Sequence, residues 1–124
     1  MLGSPPLRGQ VWYTYLPGHT RDPHQPRPAL VISADARNRS RDHALMIPIF
    51  SRGRLGPTHI PLPGGSGGIP HDSVLFCELI TLVYYDFLAD GPLGDVVPAS
   101  ILEEVVRAVR RAIGEVVTEP QPDN

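Results

Sequence analysis

Fifteen prolines and twelve glycines among 124 residues are the strongest constraint on this chain, because they fall between apolar runs rather than in one tract. Punctuation of that kind cuts a chain into many short strands joined by turns. Gln10 to Leu16 is rich in Val, Trp, Tyr and Thr, side chains that suit a pleated surface. The following PGHTRDPHQPRP carries four prolines and reads as a loop, since it suits neither a helix nor a central strand. Ala29 to Ser33 is a short apolar strand, ADARNRSRDH a polar connection with room for one helical turn, and Ala44 to Phe50 a second apolar run. Thr58 to Leu62 predicts another strand, GGSGG a flexible turn, and Ser73 to Ile80 the next strand. Thr81 to Tyr85 either continues that strand or pairs beyond a bend.

Near the C-terminus the period changes. Ser100 and Glu103 form a capping-box pattern. Leu102, Val105, Val109, Ala112, Ile113 and Val116 then recur at helical steps, predicting an amphipathic helix of about five turns. Glu103–Arg107 and Arg111–Glu115 are spaced as favourable helix pairs, and the final TEPQPDN reads as a polar, disordered tail. Short strands followed by one covering helix make a mainly β fold. A small barrel solves the edge-strand problem for a single domain of this size.

The N-terminal MLGSPPLRG has neither a charged start nor an apolar core segment, so no secretion signal is expected, and no apolar run is long enough to span a membrane. Cys77 is the single cysteine, set in an apolar pattern; it reads as a small buried hydrophobe, and a reducing cytoplasm is the expected compartment. Every one of the eleven basic residues is arginine. Residues 1–60 hold eight of them against Asp22, Asp35 and Asp42, a sum of +5, while residues 61–124 hold three against ten acids, a sum of −7. The net −2 therefore hides an electrically polar chain. Arginine's planar fork suits phosphate recognition.

Five segments carry a resemblance in their order and spacing: RGQVWYTYL (8–16), RPALVIS (27–33), IPIFSR (47–52), PTHIPL (57–62) and DSVLFCELI (72–80). Together they resemble the MazF/PemK toxin family, small dimeric endoribonucleases held silent by an antitoxin protein. The resemblance covers residues 8–117 as one domain and leaves 118–124 as the tail. It implies an SH3-like barrel with a C-terminal amphipathic helix, a homodimer with an RNA groove across the subunit interface, and a cognate antitoxin as partner. It implies no cofactor, and the histidines show no metal-site spacing such as HExxH.

Cleaving RNA without a metal requires a cation for the charge that builds on phosphorus and groups to move protons from the 2′-hydroxyl and to the departing 5′-oxygen. Arg27 matches the catalytic arginine of the family's RP-[AV]-[LV]-VIS motif. The family's usual threonine falls at Phe50, with a hydroxyl one place later at Ser51. Strand alternation turns Ser51 away unless a bulge re-aims it. The entry loop differs from the family's G-SEQ-GG pattern and supplies His19 and His24, of which His24 stands nearer Arg27. His59 reads as a structural strand residue and His71 as a rim residue. Arg37, Arg39, Arg41, Arg52 and Arg54 are candidates for sequence-blind phosphate contacts. Glu78 stands where the family's QIRT has glutamine, which makes it a candidate RNA contact, and Ile80 stands where it has arginine. The reading is a metal-independent endoribonuclease of single-stranded RNA, the toxin of a toxin–antitoxin pair. The alternative is a non-cleaving barrel that binds RNA, or a protein target as the related CcdB-like gyrase inhibitors do.

Overall fold

The structure, a computed structural model, describes residues 3–18 and 21–118. Seven strands form one antiparallel sheet: β1 (Val11–Thr14), β2 (Arg27–Val31), β3 (His43–Phe50), β4 (His59–Leu62), β5 (Ser73–Phe76), β6 (Thr81–Tyr84) and β7 (Leu88–Asp90). Their order is β4-β5-β3-β2-β1-β7, with β6 also paired to β3. Helix α1 (Asp35–Ser40) fills the polar connection after β2, and α2 (Ala99–Ala112) covers the sheet. This is the mainly β, SH3-like barrel with a C-terminal helix that the sequence predicts. Among the described residues no helix is long and apolar enough to cross a membrane.

The central strands are apolar without a break from Ala29 to Val31 and from Ala44 to Phe50 because both of their faces are buried there. Leu30 and Ile47 belong to the core under α2, with Val105 and Ala108 of the helix. Their neighbours Ala29, Val31 and Met46 face a second cluster around Trp12 and Val83. Two cores in so short a chain explain why alternation is invisible in β2 and β3.

The loop before β2 ends earlier than predicted, because Arg27 and Pro28 already pair with Thr14 and Tyr13. Proline is tolerated at the start of a strand. Pro48 in the middle of β3 has a different reason. Leu45 accepts from the Ile32 amide across β2 and β3, so by alternation Pro48 turns its missing donor to the opposite side. On that side β6 pairing ends at Met46 and β5 pairing begins at Ile49, so no ladder bond is lost.

Several other predicted details differ. Ser73 to Ile80 is not one strand: Cys77–Leu79 forms a 3₁₀ turn whose first amide donates to the Thr58 carbonyl, and Thr81–Tyr84 pairs beyond the bend. The capping box at Ser100 does not form, because the helix begins at Ala99 with Pro98 as its cap, whose carbonyl accepts from Ile101 and Leu102. Helix α2 stops after about four turns at Gly114, with φ of 102°, so Ile113 and Val116 are 77% and 91% exposed rather than part of the apolar stripe. In the same turn Glu115 pairs with Arg110, not with Arg111, whose Nη1 donates to the Pro57 carbonyl. GGSGG is an ordered turn rather than a flexible one: Gly68 has φ of +90°, and a Cβ there would lie 2.4 Å from the Leu93 carbonyl oxygen. Strand β7 has no counterpart in the prediction. Of the tail at 118–124, only Thr118 is described.

Cys77 is fully buried, and burial pushes its thiol up to about 12, which fits the small-hydrophobe reading.

Candidate active site

Antiparallel register makes Arg27 and Phe50 neighbours. Ala29 lies opposite Pro48, and extending the register brings the first residue of β2 beside the last of β3. The Arg27 guanidinium lies over the Phe50 ring, 4.5 Å from its centroid. Such a contact holds the planar fork flat.

Asp22 fixes the fork from its edge. Its carboxylate accepts from Arg27 Nε through Oδ2 and from Nη2 through Oδ1 at 3.2 Å, and Oδ1 also accepts from the His24 amide at 2.9 Å. These hydrogen bonds, Arg27 first, hold the Asp22 carboxyl below the ordinary aspartate range despite partial desolvation. The side chains of Arg27 and Asp22 keep 17% and 12% of their surface, so the pair is sheltered yet open at the rim. The loop is anchored by Gln25, whose amide side chain accepts from the Leu16 amide at 2.6 Å and donates to the Leu16 carbonyl at 3.2 Å.

His24, Arg27, Phe50, Ser51 and Arg52 line one cleft of about 530 Å³. The three residues proposed from sequence for chemistry thus meet in one place, although His19 lies outside the described residues. The bulge that could re-aim Ser51 does not form: Ile49–Leu75 and Phe50–Val74 pair in regular register, and the chain bends at Ser51 itself. Ser51 reaches the cleft because the strand stops, while Phe50 keeps the face it shares with Arg27.

The phosphate-contact candidates separate. Arg52 is in the cleft and Arg54 follows in the same exposed loop. Arg37 and Arg39 sit on α1, at the opposite end of β2 and β3 from Arg27, so they do not join this cleft. Arg37 is committed locally, donating to the His43 carbonyl and to His43 Nδ1, each at 2.9 Å. Arg41 borders a separate groove with Asp42 and Asp86. His71 is exposed in the turn before β5.

Phe50 also leads away from the cleft. Its ring lies 4.6 Å from that of Phe76, and Phe76 stacks on His59 at 4.0 Å. His59 Nε2 is 2.6 Å from Glu78 Oε1, and Nδ1 is 2.8 Å from the Arg54 carbonyl. Glu78 is therefore linked to the cleft through rings rather than lining it. Sequence reasoning missed Asp22 and the His59–Glu78 pair. A carboxylate inside the proline-bounded loop just before Arg27 was the available signal for the first. The second joins positions 19 apart, on β4 and the 3₁₀ turn. Among the described residues no group of three or more His, Cys, Asp or Glu side chains is arranged to hold a metal ion.

Solved structures with this barrel include an endoribonuclease in complex with its cognate antitoxin from a mycobacterial species, 26% identical, with 94% of this chain and 99% of that one covered and a TM-score of 0.70. An endoribonuclease from a mycobacterial species is 27% identical, with 92% and 96% covered and a TM-score of 0.70. MazF from Deinococcus radiodurans is 25% identical, with 90% and 98% covered and a TM-score of 0.73. No curated protein matches the chain. The family model described as the PemK-like, MazF-like toxin of type II toxin–antitoxin systems matches residues 7–113, from before β1 through the end of α2, and the chain belongs to that family.

Proposed function

We propose that this toxin-family protein is an endoribonuclease that cleaves single-stranded RNA without a metal ion. The observation that carries the reading is the Arg27 guanidinium, clamped by Asp22 along one edge and laid on Phe50, at a cleft open to solvent. Asp22 engages Nε and Nη2, which leaves Nη1 to meet a phosphate oxygen. A cation fixed before substrate arrives stabilises the phosphorane charge with little reorganisation.

In this scheme the 2′-hydroxyl gives its proton to His24 and its oxygen forms a bond to phosphorus. The bond from phosphorus to the 5′-oxygen breaks, and that oxygen takes up a proton from water as it leaves. The products are a 2′,3′-cyclic phosphate and a 5′-hydroxyl. Ser51 hydrogen-bonds a phosphate oxygen, Arg52 and Arg54 hold flanking phosphates, and Glu78 accepts from a base edge farther along the strand. The protein acts in the cytoplasm as a homodimer, and a cognate antitoxin silences it. The relatives named as an endoribonuclease bound to its cognate antitoxin support that partnership.

A cleavage assay on single-stranded RNA in excess EDTA tests the proposal. Cyclic-phosphate ends, and loss of cleavage when the target sugar is 2′-O-methylated, are expected; cleavage of a 2′-deoxy target, or activity restored only by a divalent ion, would refute it. Light scattering checks the dimer, and a monomer at micromolar concentration counts against the shared groove. One observation favours a second reading, a barrel that binds RNA without cutting it: the Phe50 ring occupies the space under Arg27 where the family usually has threonine. Tight RNA binding with no cleavage of any strand tried would select that reading.

A further inference from the structure

The segment from Ser51 to Gly56 is exposed throughout and carries Arg52 and Arg54 between β3 and β4. Among the described residues, no backbone–backbone hydrogen bond holds Arg52 to Leu55; the ladder resumes where Gly56 and His59 exchange bonds of 3.2 and 3.3 Å. Two contacts hold the middle of the loop. Gly53 lies so close to Phe76 that a Cβ would come within 2.5 Å of the ring. One residue on, the Arg54 carbonyl meets Nδ1 of His59 at 2.8 Å.

That imidazole is engaged on both sides. A carbonyl only accepts, and an ionised carboxylate only accepts, whereas a neutral imidazole has one N–H to give. Satisfying Arg54 and Glu78 together, at 2.8 and 2.6 Å, therefore requires the imidazolium. Stacking on Phe76 at 4.0 Å also favours the cationic ring. The charged surroundings agree. Glu78, then the Arg54 carbonyl, push the His59 pKa above its ordinary value, with burial opposing. Burial pushes the Glu78 carboxyl up, but His59, the residue's own amide and Thr58 together pull it below its usual range. Charged neighbours on the packed elements include Arg52 and Arg54 of the loop and Arg111 of α2, which reaches the Pro57 carbonyl at 3.3 Å, but burial is what opposes protonation.

We propose that His59 is a positioning residue for RNA: as an imidazolium it clamps the Arg52–Arg54 loop to Glu78 beside the Arg27 cleft, and on losing its proton it releases the loop and weakens RNA binding. The proposal rests on the RNA-cleaving reading above and adds a pH dependence to it. The sign follows from the raised pKa: the clamp is complete below the ordinary histidine value of about 6.5 and is lost as pH rises through the higher folded value.

The full chain is tested with a 2′-O-methylated single-stranded RNA oligomer, which binds but cannot be cut. Its Kd should rise about tenfold as His59 titrates, the weight of one charge-assisted contact. The ring nitrogen shifts of His59 report the titration by NMR in the protein alone, and the Gly53 and Arg54 backbone resonances should shift through the same midpoint. His59→Gln, with one side-chain donor group, should bind at all pH values as weakly as the wild type does after deprotonation, raising KM while sparing kcat. Gly53→Ala should weaken binding at low pH while the His59 titration persists, because it pries the loop from Phe76 without touching the imidazole. Loop resonances that ignore the His59 midpoint, or a His59→Gln protein that keeps the wild-type pH dependence of binding, would overturn the clamp. Loop opening that tracks His59 in a protein that binds no RNA at any pH would instead refute the RNA-binding reading and, with it, the clamp's role for RNA.

Discussion

Replacing Arg27 by alanine separates chemistry from folding, because the side chain stands at a rim and not in either core. Its guanidinium keeps part of its surface, and its contacts are the Asp22 carboxylate and the face of Phe50. Losing a partly exposed charged pair of this kind costs about 1–2 kcal/mol of stability, against a domain stability of about 5–15 kcal/mol. The variant should stay folded, with its melting temperature lowered by about 5–10 °C. The rate should suffer far more. Removing one preorganised donor to a developing oxyanion typically costs about 10²–10³ in kcat, or about 3–4 kcal/mol. Arg27→Lys should recover little, since an ammonium can neither receive both Asp22 oxygens along one edge nor lie flat on Phe50. Single-turnover cleavage of a short RNA at saturating protein measures the step directly, and circular dichroism checks the fold. An alanine variant within threefold of wild type under those conditions would refute Arg27 as the cation.

Asp22→Asn should lower kcat by about tenfold with RNA affinity unchanged or improved, because a neutral amide no longer pins the fork; a drop in affinity with kcat intact would contradict the orienting role. The same pair predicts acid tolerance: the folded Asp22 pKa is depressed, so its contribution is present above the ordinary aspartate value of about 3.9 and lost only as pH falls through the lower folded value. Ser51→Ala should cost about threefold to tenfold, the weight of one hydrogen bond to a charged group, and His24→Ala about 10² or more; equal, negligible losses would remove both from the chemistry. Gly68→Ala should destabilise the fold by at least about 2 kcal/mol in thermal melts, since its φ is positive and a Cβ would meet the Leu93 carbonyl; a loss under about 0.5 kcal/mol would refute that packing argument.

The strands were legible where burial acts on both faces. Ala29–Val31 and Ala44–Phe50 are apolar without interruption because each serves two clusters, and no competing structure suits such runs between prolines. Legibility failed where the deciding partner is distant in sequence. The break at Cys77 depends on the Thr58 carbonyl, and the start of α2 depends on Pro98 taking the cap position that the local pattern gives to Ser100. Strand β7 exists through its pairing with β1 across a register shift at Tyr13 and Thr14, which three residues of local sequence cannot announce.

The candidate site shows the same division more sharply. Charge counting gives residues 1–60 a net +5, but a count carries no direction. Arg27 and Arg52 reach the cleft, whereas α1 carries Arg37 and Arg39 to the other end of the same two strands. Alternation, by contrast, does carry direction. It places Phe50 on the face of Arg27 and leaves the Ser51 hydroxyl to arrive through a bend. A ring under the guanidinium then makes orientation depend on Asp22 at its edge, and it links the cleft through Phe76 to His59. The ring that stands where the family usually has threonine is thus the one that joins the cation to the arginine loop, so Phe50→Thr should disturb both at once. Fluorescence anisotropy with the uncleavable RNA and single-turnover cleavage should then fall together. A Phe50→Thr protein that gains cleavage while keeping its affinity would show that the ring is an obstacle and not a support.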